Sequence, residues 1–412
     1  MTESIGLAPI SPQTTRVCVV GMGYIGLPTA AVLASRGYQI HGVDVNPRAV
    51  ETINTGHAHI VEPDLDMLVK AAVQTGRLKV HSDPAPSDVF IICVPTPFTG
   101  DHDPDLSYVY AATKSICPFV REGNLVILES TSPPGTTEAM RDIVAKEAGL
   151  SDQQVFFAHA PERVLPGRII REVVENDRIV GGIGEAATGR CTEFYRTFVT
   201  GQVLQTNART AETTKLVENA YRDVNIAFAN ELSLMCDELD LDVWEVIAMA
   251  NRHPRVKILN PGPGVGGHCI AVDPWFLVKA APRVTNLIHT ARKVNDNKPH
   301  WVVERVTRRA QRINNPKIAC LGLAYKPDID DLRESPAVEV VKEIVAADIG
   351  EVRIVEPHVR SHPEFKLCTA EEALRDADIV VFLVAHQAFK RIPANLLAER
   401  IIIDTCGATR RT

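Results

Sequence analysis

A short apolar strand that leads directly into a glycine-rich turn constrains this chain more than any other feature. Arg16–Val20 is apolar and β-branched, the turn Gly21-Met-Gly-Tyr-Ile-Gly26 follows it, and Leu27–Arg36 has helical spacing. A second strand, Gln39–Val43, then ends at Asp44. The glycines permit a tight turn and let a pyrophosphate approach the helix amino terminus, while the carboxylate can bond ribose hydroxyls. The pattern predicts a Rossmann dinucleotide-binding unit.

The carboxylate of Asp44 also favours one cofactor over another. A negative charge at this position repels the 2′-phosphate of NADP, so NAD is the expected cofactor, although Arg48 is near enough to attract that phosphate. The residues expected to contact NAD are Gly21, Gly23, Tyr24, Ile25, Gly26, Asp44, Arg48, Thr96 and Thr131.

The two threonines in this set follow the ends of predicted strands. Thr96 comes after Val89–Val94, and Thr131 comes after Leu125–Leu128. Ligands of open α/β sheets bind outside the carboxyl ends of the strands, so either hydroxyl can bond the cofactor or a substrate oxygen. Each can equally satisfy the backbone of a turn.

The remaining pattern predicts the fold class. Continuous apolar runs at 89–94, 125–128 and 155–158 are typical of a parallel sheet covered on both faces. Helical spacing from Thr210 to Leu239 predicts a long helix, and a second α/β pattern begins at Lys317–Leu323. We predict an α/β fold with two Rossmann-like, doubly wound parallel-sheet domains joined by a long central helix and a helical middle domain. The expected domains are 1–208, 209–312 and 313–412.

Charge and cysteine usage exclude several classes of protein. A net charge of −7 argues against nucleic acid or an anionic membrane as a partner held by bulk charge. The nine cysteines are scattered without CxxC spacing, which favours a reducing cytoplasm and no metal site. No apolar run approaches the roughly 18 residues of a membrane span, and Met1–Thr15 lacks the pattern of a signal peptide. We expect a cytoplasmic protein.

One cysteine lies in a chemically suggestive loop. Pro261–Pro274 is rich in glycine and places Cys269 four residues before Asp273. Glycines let the backbone approach a ligand closely, and a thiolate can attack a carbonyl carbon to form a covalent intermediate. A buried and inert turn cysteine would fit the loop as well.

Other polar residues have the spacing or position of a binding site. Lys215, Asn219 and Arg222 share one face of the long helix and can line a cleft, or they can form a solvated face. Glu162 follows a strand and can activate water, or it can form a salt bridge with Arg163. Cationic residues that suit a diphosphate are His253, Arg255, Lys326 and Arg333.

Five motifs together resemble the UDP-glucose/GDP-mannose dehydrogenase family, over the chain from Arg16 to about Thr405. They are HIVEPDL (59–65), VPTPF (94–98), APERVLPG (160–167), NRHPRV (251–256) and GPGVGGHCIAVDPWF (262–276). They are most similar to the branch that acts on UDP-N-acetyl-D-mannosamine. The UDP-glucose branch typically has PEFL where this chain has Pro161-Glu-Arg-Val164.

The resemblance implies an oxidation of a UDP-sugar at C6 from alcohol to carboxylate, with NAD, for surface polysaccharide biosynthesis, by a homodimer or higher oligomer. Cys269 would capture the aldehyde as a thiohemiacetal and then form a thioester. Lys215 would transfer protons, and water would be held or activated by Asn219, Asp273 and Glu162. Thr131 matches a position of the cofactor and catalytic loop.

The resemblance also implies the substrate contacts, with the last domain binding the UDP-sugar. They are Arg163, Val164, Lys215, Asn219, Arg222, His253, Arg255, Gly266, Tyr325, Lys326 and Arg333.

Three alternatives stay open at this point. The same chemistry can act on UDP-N-acetylglucosamine or UDP-glucose, because contacts in the sugar pocket decide between epimers. A Rossmann domain followed by a helix with Lys-x-x-x-Asn also suits a two-electron 3-hydroxyacid dehydrogenase, against which Cys269 argues. A nucleotide-sensing protein without activity is the third alternative.

Overall fold

The computed structural model describes residues 9–100, 102–267 and 269–410. The chain forms two compact units, Met1–Val217 and Glu218–Thr412. None of the helices in these described ranges is long and apolar enough to cross a membrane.

The first unit alternates strands with helices. Its strands are β1 Arg16–Val20, β2 Gln39–Val43, β3 Leu78–His81, β4 Val89–Ile92, β5 Phe98–Thr99, β6 Asp103–Pro104, β7 Leu125–Leu128, β8 Phe156–His159, β9 Arg178–Gly182 and β10 Val203–Asn207. Its helices are α1 Gly26–Ser35, α2 Pro47–Asn54, α3 Leu65–Gln74, α4 Ser107–Ile116, α5 Thr136–Ala148, α6 Ile169–Glu175 and α7 Glu185–Arg196. A 3₁₀ turn, Cys117–Phe119, follows α4.

The division between the units falls within the long helix α8, Ala208–Glu238. The later helices are α9 Val243–Ala250, α10 Asp273–Ala280, α11 Asn286–Ala310, α12 Pro336–Ala346, α13 Ala370–Leu374 and α14 Gln387–Lys390. The strands of the second unit are β11 Lys317–Leu321, β12 Glu351–Val355, β13 Ile379–Phe382 and β14 Ile401–Asp404, with a 3₁₀ turn at Ala394–Leu396.

Strand order confirms the predicted fold class. The sheet of the first unit has the order β10-β9-β8-β7-β4-β1-β2-β3, and its pairs are parallel except β8 with β9. The portion from β3 to β8 has the strand order of a dinucleotide-binding Rossmann fold. The sheet of the second unit has the order β12-β11-β13-β14 and is parallel throughout. The carboxyl ends of β1, β4 and β7 therefore lie side by side at one edge of the first sheet.

Alternation along each strand explains why its sequence is apolar throughout. In β1, Val17 and Val19 pack into one hydrophobic cluster while Cys18 and Val20 pack into another. In β11, Ile318 and Cys320 likewise face one cluster and Ala319 and Leu321 the other. Both faces of each sheet are covered by helices, so neither face needs polar residues.

Three strands of the first sheet were not foreseen from the sequence. β3 contains a lysine and a histidine, β9 contains two glycines, and β10 is largely exposed at the edge of the sheet. Such strands lack the continuous apolar run by which buried parallel strands are recognised, and pairing with an existing sheet edge decides their conformation.

A buried polar network joins α8 to α11 in the second unit. Arg292 donates a hydrogen bond to Asp223, and both side chains are almost completely buried. Asn295 donates to the same carboxylate at 2.8 Å and accepts from Asn230 at 2.9 Å. Asn230 in turn accepts the backbone N–H of Gly262 at 2.9 Å. The network therefore anchors the start of the glycine-rich loop to the long helix.

A cavity of about 210 Å³ in the second unit is lined in part by Lys298. This lysine is only 2% exposed, donates to the hydroxyl of Ser233, and lies 4.2 Å from the ring centroid of Trp301. Burial lowers the pKa of Lys298 from 10.5 to about 7, Arg305 lowers it further, and Asp237 opposes the shift. A charged ammonium at this position therefore costs the fold stability.

Replacement of Lys298 by Met tests that cost. The folded protein releases the proton near pH 7 and the unfolded chain near 10.5, so the unfolded state binds more protons between these values. The contribution of Lys298 to stability therefore rises with pH through this window. Relative to Lys298→Met, we expect the free energy of unfolding of the wild type to increase by ~2 kcal/mol from pH 7 to pH 9, measured by urea denaturation.

The matched control is Lys342→Met, because Lys342 is exposed and pairs with Glu364 at the surface. Its difference from the wild type should vary little with pH over the same range. A Lys298→Met difference that is equally insensitive to pH would contradict the prediction.

Candidate active site

The turn after β1 has the geometry that close approach of a ligand requires. A Cβ on Gly21, where φ is +92°, would lie 2.6 Å from the carbonyl oxygen of Cys93, and one on Gly26 would lie 1.8 Å from the carbonyl oxygen of Gly21. A Cβ on Gly23 would meet no atom within 4 Å. Gly21 and Gly26 are thus required for packing, whereas Gly23 leaves open space. Together with the exposed Tyr24 and the adjoining Ile25, this turn fits a dinucleotide pyrophosphate.

The carboxylate of Asp44 is held at the end of β2. Its Oδ2 accepts the backbone N–H of Met22 at 2.9 Å, and its Oδ1 accepts that of Asn46 at 2.8 Å. A carboxylate has about four acceptor sites, so capacity remains for ribose hydroxyls. Arg48 is exposed in the first turn of α2, where the side chain of Asn46 caps the helix.

The structure brings Thr96 and Thr131 together. Thr96 Oγ1 donates to the backbone carbonyl of Thr131 at 2.7 Å, so this hydroxyl links the loops that follow β4 and β7. Beyond Thr131, the amino terminus of α5 is capped by Glu212, which accepts the N–H groups of Gly135 at 2.6 Å and Thr137 at 2.8 Å. Burial raises the pKa of Glu212, and the bonds from Thr137 oppose the increase.

Glu162 lies in a buried charge cluster. Its carboxylate accepts hydrogen bonds from the guanidinium of Arg178 and from the backbone N–H of Arg163, the latter at 2.7 Å. The same guanidinium donates to Glu129, which also accepts from Tyr195 Oη at 2.5 Å. The salt-bridge partner of Glu162 is therefore Arg178, and Arg163 contributes its backbone.

Hydrogen bonds from residues outside it hold the loop that carries Arg163 and Val164 in place. Both residues are half-buried, and the carbonyl of Arg163 accepts from Asn176 at 3.1 Å. The buried carboxylate of Glu62 accepts the N–H groups of Gly167 at 2.8 Å and Ile169 at 2.7 Å. Two of the motifs noted in the sequence, HIVEPDL and APERVLPG, thus meet through one side chain.

In the second unit, Cys269 stands at the entrance to α10. Cys269 is exposed, and its backbone carbonyl accepts the N–H groups of Val272 at 3.1 Å and Asp273 at 2.9 Å. The side chain of Asn219 donates to Asp273 Oδ2 at 2.6 Å, and both of these side chains are buried. A helix amino terminus carries partial positive charge, which stabilises an anionic sulfur nearby. His268 lies outside the described residues.

The glycines of this loop pack against another predicted substrate contact. A Cβ on Gly266 would lie 2.8 Å from the Cβ of Tyr325, and one on Gly267, where φ is +83°, would lie 3.0 Å from its ring. The N–H of Gly267 is bonded to the carbonyl of Arg333 at 3.3 Å. The structure therefore brings Gly266, Tyr325 and Arg333 together beside the loop of Cys269. The guanidinium of Arg333 itself pairs with Asp331.

The remaining predicted contacts lie on the surface of their own units. Lys215 is half-buried on α8, and it is one helical turn from Asn219. The exposed residues are Arg222, His253, Arg255 and Lys326. The loop of His253 and Arg255 is closed by Asn251, whose side chain bonds both backbone polar groups of Ile258 at 2.7 and 3.0 Å.

Sequence reasoning missed Glu129, Arg178, Tyr195 and Glu212. A carboxylate directly after the apolar run LVIL was a usable signal for Glu129, and an arginine at the start of the apolar strand RIVGG was one for Arg178. Charged residues are almost never fully buried unless paired. The pairing itself depends on three strands and a helix, and no local pattern reveals it.

Family models match successive parts of the chain. The NAD binding domain of the UDP-glucose/GDP-mannose dehydrogenase family matches residues 15–199, its central domain matches 209–297, and its UDP binding domain matches 319–411. These matches agree with the family resemblance inferred from the motifs and confirm it.

Curated relatives match nearly the whole chain. An NDP-N-acetyl-D-galactosaminuronic acid dehydrogenase of Ralstonia nicotianae is 55% identical over 403 residues, covering 95% of each chain. A UDP-N-acetyl-D-mannosamine dehydrogenase of Campylobacter jejuni is 52% identical, covering 93% of this chain and 98% of its own. A solved structure of UDP-D-ManNAc dehydrogenase from Pyrococcus horikoshii is 42% identical, with 96% of each chain covered and a TM-score of 0.88.

Proposed function

This chain belongs to the UDP-glucose/GDP-mannose dehydrogenase family and is an NAD-dependent UDP-sugar dehydrogenase, and from that premise we propose that it oxidises C6 of UDP-N-acetyl-D-mannosamine to the uronate. The observation that carries the four-electron reaction is the exposed Cys269 at the turn leading into Asp273. A two-electron alcohol dehydrogenase needs no nucleophile, whereas a second oxidation requires a tetrahedral species from which hydride can leave.

The first steps use a base and a thiolate. Two molecules of NAD, bound in turn, would each accept one hydride, one for each oxidation. Lys215 accepts the proton of the C6 hydroxyl as the aldehyde forms. The Cys269 thiolate then adds to the aldehyde carbon while Lys215 returns the proton to the oxygen, giving a thiohemiacetal. Loss of hydride from that carbon and of the hydroxyl proton to Lys215 leaves a thioester.

Hydrolysis completes the reaction. A water oxygen attacks the thioester carbon, the carbon–sulfur bond breaks, and Cys269 leaves as the thiolate. Glu162 takes a proton from that water, and Asn219 and Asp273 orient it. The hydrogen bond of 2.6 Å between these two side chains supports the last role, because it fixes the direction of both polar groups. Thr131 supports the cofactor loop through its contact with Thr96.

The remaining site residues divide between cofactor and substrate. The turn Gly21–Gly26 with Asp44 and Arg48 holds NAD, and Asp44 favours it over NADP. The UDP-sugar diphosphate needs cationic donors, and we assign this role to the exposed residues Arg222, His253, Arg255, Lys326 and Arg333. Arg163, Val164, Gly266 and Tyr325 complete the proposed sugar and nucleotide contacts.

We also propose the domain boundaries 1–208, 209–312 and 313–412, which the family matches support.

The thioester mechanism predicts the reaction stoichiometry. With excess NAD, the wild type should form two NADH per UDP-sugar consumed, whereas Cys269→Ala should lose acid formation by ~10³-fold or more. Absorbance of NADH against chromatographic sugar uronate gives the ratio. The matched control is Cys368→Ala, a half-buried cysteine of the same unit, which should retain two NADH per sugar. One NADH per sugar in the wild type would exclude the mechanism.

A second sugar is favoured by a specific observation. The Ralstonia relative, at 55% identity, is named for N-acetyl-D-galactosaminuronic acid, which differs from the manno sugar in the stereochemistry of the ring. We therefore keep the galacto-configured acetamido sugar as the alternative substrate.

Comparison of kcat/KM over a panel decides between the two sugars. The panel contains UDP-N-acetylmannosamine, UDP-N-acetylgalactosamine, UDP-N-acetylglucosamine and UDP-glucose. We expect the manno sugar to exceed each other sugar by ~10-fold or more, because a misplaced hydroxyl leaves polar groups in the pocket unpaired. A higher kcat/KM for the galacto sugar would replace the proposed substrate without affecting the mechanism.

We further propose that the enzyme is a homodimer whose copies meet along α8. Tyr221, Phe228 and Met235 are 70%, 57% and 46% exposed and recur at intervals of seven residues. That spacing keeps an apolar stripe on one face of a helix, the arrangement by which long helices pair. Leu239, directly after the end of α8, is a further exposed apolar residue.

A charge in the stripe should separate the copies. Phe228→Glu is expected to convert a dimer into a monomer at micromolar concentration, measured by size-exclusion chromatography with light scattering. Gln311→Glu introduces the same charge at an exposed position outside α8 and should leave the dimer intact. A wild type that is monomeric, or a Phe228→Glu variant that stays dimeric, would contradict this interface.

A further inference from the structure

A single guanidinium is shared by two buried carboxylates in the first unit. Arg178 donates one terminal nitrogen to Glu162 and the other to Glu129, and the exposed fractions of the three residues are 4%, 7% and 2%. Burial of an ion is costly unless it is paired and hydrogen-bonded, so removal of any member changes the charge balance of the other two.

Glu129 has no remaining capacity to accept a hydrogen bond. Besides Arg178, its carboxylate is bonded by Tyr195 Oη at 2.5 Å, Cys93 Sγ at 3.3 Å and Thr29 Oγ1 at 3.5 Å. These four donors match the roughly four acceptor sites of a carboxylate, so the lone pairs of Glu129 are in use. Burial raises the pKa of Glu129, Arg178 lowers it, and the charge of Glu162 raises it.

Glu162 accepts one bond on each oxygen, from Arg178 and from the backbone N–H of Arg163. An ionised carboxylate has about four acceptor sites, so Glu162 retains capacity for a water proton. The two carboxylates therefore have different capacities: Glu129 is saturated, whereas Glu162 can still act on a ligand.

The reversed direction of β9 explains how the guanidinium reaches this place. β8 and β9 pair antiparallel, with Ala158 opposite Gly182 and His159 opposite Gly181. Continued beyond the end of β8, this register places Arg178 opposite Glu162. A parallel β9 would instead begin at the amino-terminal edge of the sheet, away from the loops where ligands bind. The exception in an otherwise parallel sheet thus brings a cation to the carboxyl edge.

Four titratable groups near the cluster are uncharged at neutral pH, and Arg163 and Lys215 are charged groups close to it. His159 is fully buried on β8, its ring nitrogens have no hydrogen-bond partner among the described residues, and burial lowers its pKa to about 3. Burial also raises the pKa of Cys93 and Cys191, and burial together with Glu129 raises that of Tyr195. Lys215 on α8 is a further cation, and its charge contributes to the low pKa of His159. His159, Cys93, Cys191 and Tyr195 therefore do not gain or lose a proton near neutral pH to offset a change of charge at Glu129.

We propose that Arg178 is a positioning residue, which divides its charge between Glu129 and Glu162 and so orients the Glu162 carboxylate and sets the electrostatic field in which it acts on water. The inference rests on the proposed function for the role of Glu162, and it concerns this one carboxylate. Arg178 and Glu129 act through Glu162 and contact no reacting atom.

Two substitutions change the cluster in opposite directions. Glu129→Gln removes the charge that repels Glu162, so the acid limb of kcat against pH should move down by about half a pH unit or more. Arg178→Lys keeps one positive charge but cannot bridge two carboxylates. Its acid limb should move up, with a kcat at pH 7 at least ~10-fold lower and KM for NAD and UDP-sugar changed by less than ~3-fold.

Direct titration of Glu162 tests the same inference without activity. In protein labelled with ¹³Cδ-glutamate, the resonance of Glu162 is identified by its loss in Glu162→Gln, and its midpoint should fall in Glu129→Gln. This measurement also separates the two proposals. A wild type that oxidises no UDP-sugar would overturn the proposed function, whereas the titration would still report on the cluster.

The matched control is Arg171→Lys, because Arg171 forms an exposed ion pair with Glu175 on α6. It should leave both the pH profile and the Glu162 resonance unchanged. Thermal unfolding of each variant shows whether it folds, and if Arg178→Lys does not, Glu129→Gln alone decides. The inference would be overturned if Glu129→Gln and the wild type had the same acid limb of kcat against pH and the same titration midpoint for Glu162. The cluster would then serve only as a scaffold.

Discussion

Burial of both faces of a parallel sheet is the constraint on which the rest of the first unit depends. Its central strands are apolar along their whole length, and their residues alternate between two hydrophobic clusters. Polar side chains of these central strands can therefore reach solvent or a ligand only beyond the end of a strand. The candidate site residues all follow strand ends, so the geometry of the sheet brings them to one edge. They are the Gly21 turn, Thr96, Thr131 and Glu162.

Buried charge has a different use in each unit. In the first unit, Arg178 is placed between two carboxylates at the carboxyl edge of the sheet, one of which is the proposed water-activating residue Glu162. In the second unit, Arg292 and Asp223 pair between α8 and α11, and the network continues to the backbone of Gly262. Both arrangements hold a loop in one conformation, because an unpaired ion in either place would be strongly destabilising.

The glycine-rich loop combines close packing with one exposed group. Gly266 and Gly267 lie against Tyr325, where a larger residue would not fit, while Cys269 remains exposed at the entrance to α10. Asn219 and Asp273 are buried and bonded to each other nearby in the chain's second unit. A rigid support with one accessible thiol is what covalent catalysis requires, because the nucleophile must meet the substrate in a fixed geometry.

The sequence by itself determined the Rossmann fold class, NAD as the cofactor and the family, because these depend on local patterns: β1, β2 and β7 have the bounds read from their apolar runs. The contacts of NAD with the Gly21 turn and Asp44 stay predictions. The sequence also pointed to Cys269 and Glu162 as reactive residues, and these roles stay predictions. Only the tertiary structure paired Glu162 with Arg178 rather than the side chain of Arg163, and only it joined Asn219 to Asp273. The physical reason is separation along the chain, because patterns of hydrophobicity extend over only a few residues. The antiparallel pairing of β9 joins Arg178 to Glu162, which are 16 positions apart, and the contact of α8 with α10 joins Asn219 to Asp273, which are 54 positions apart.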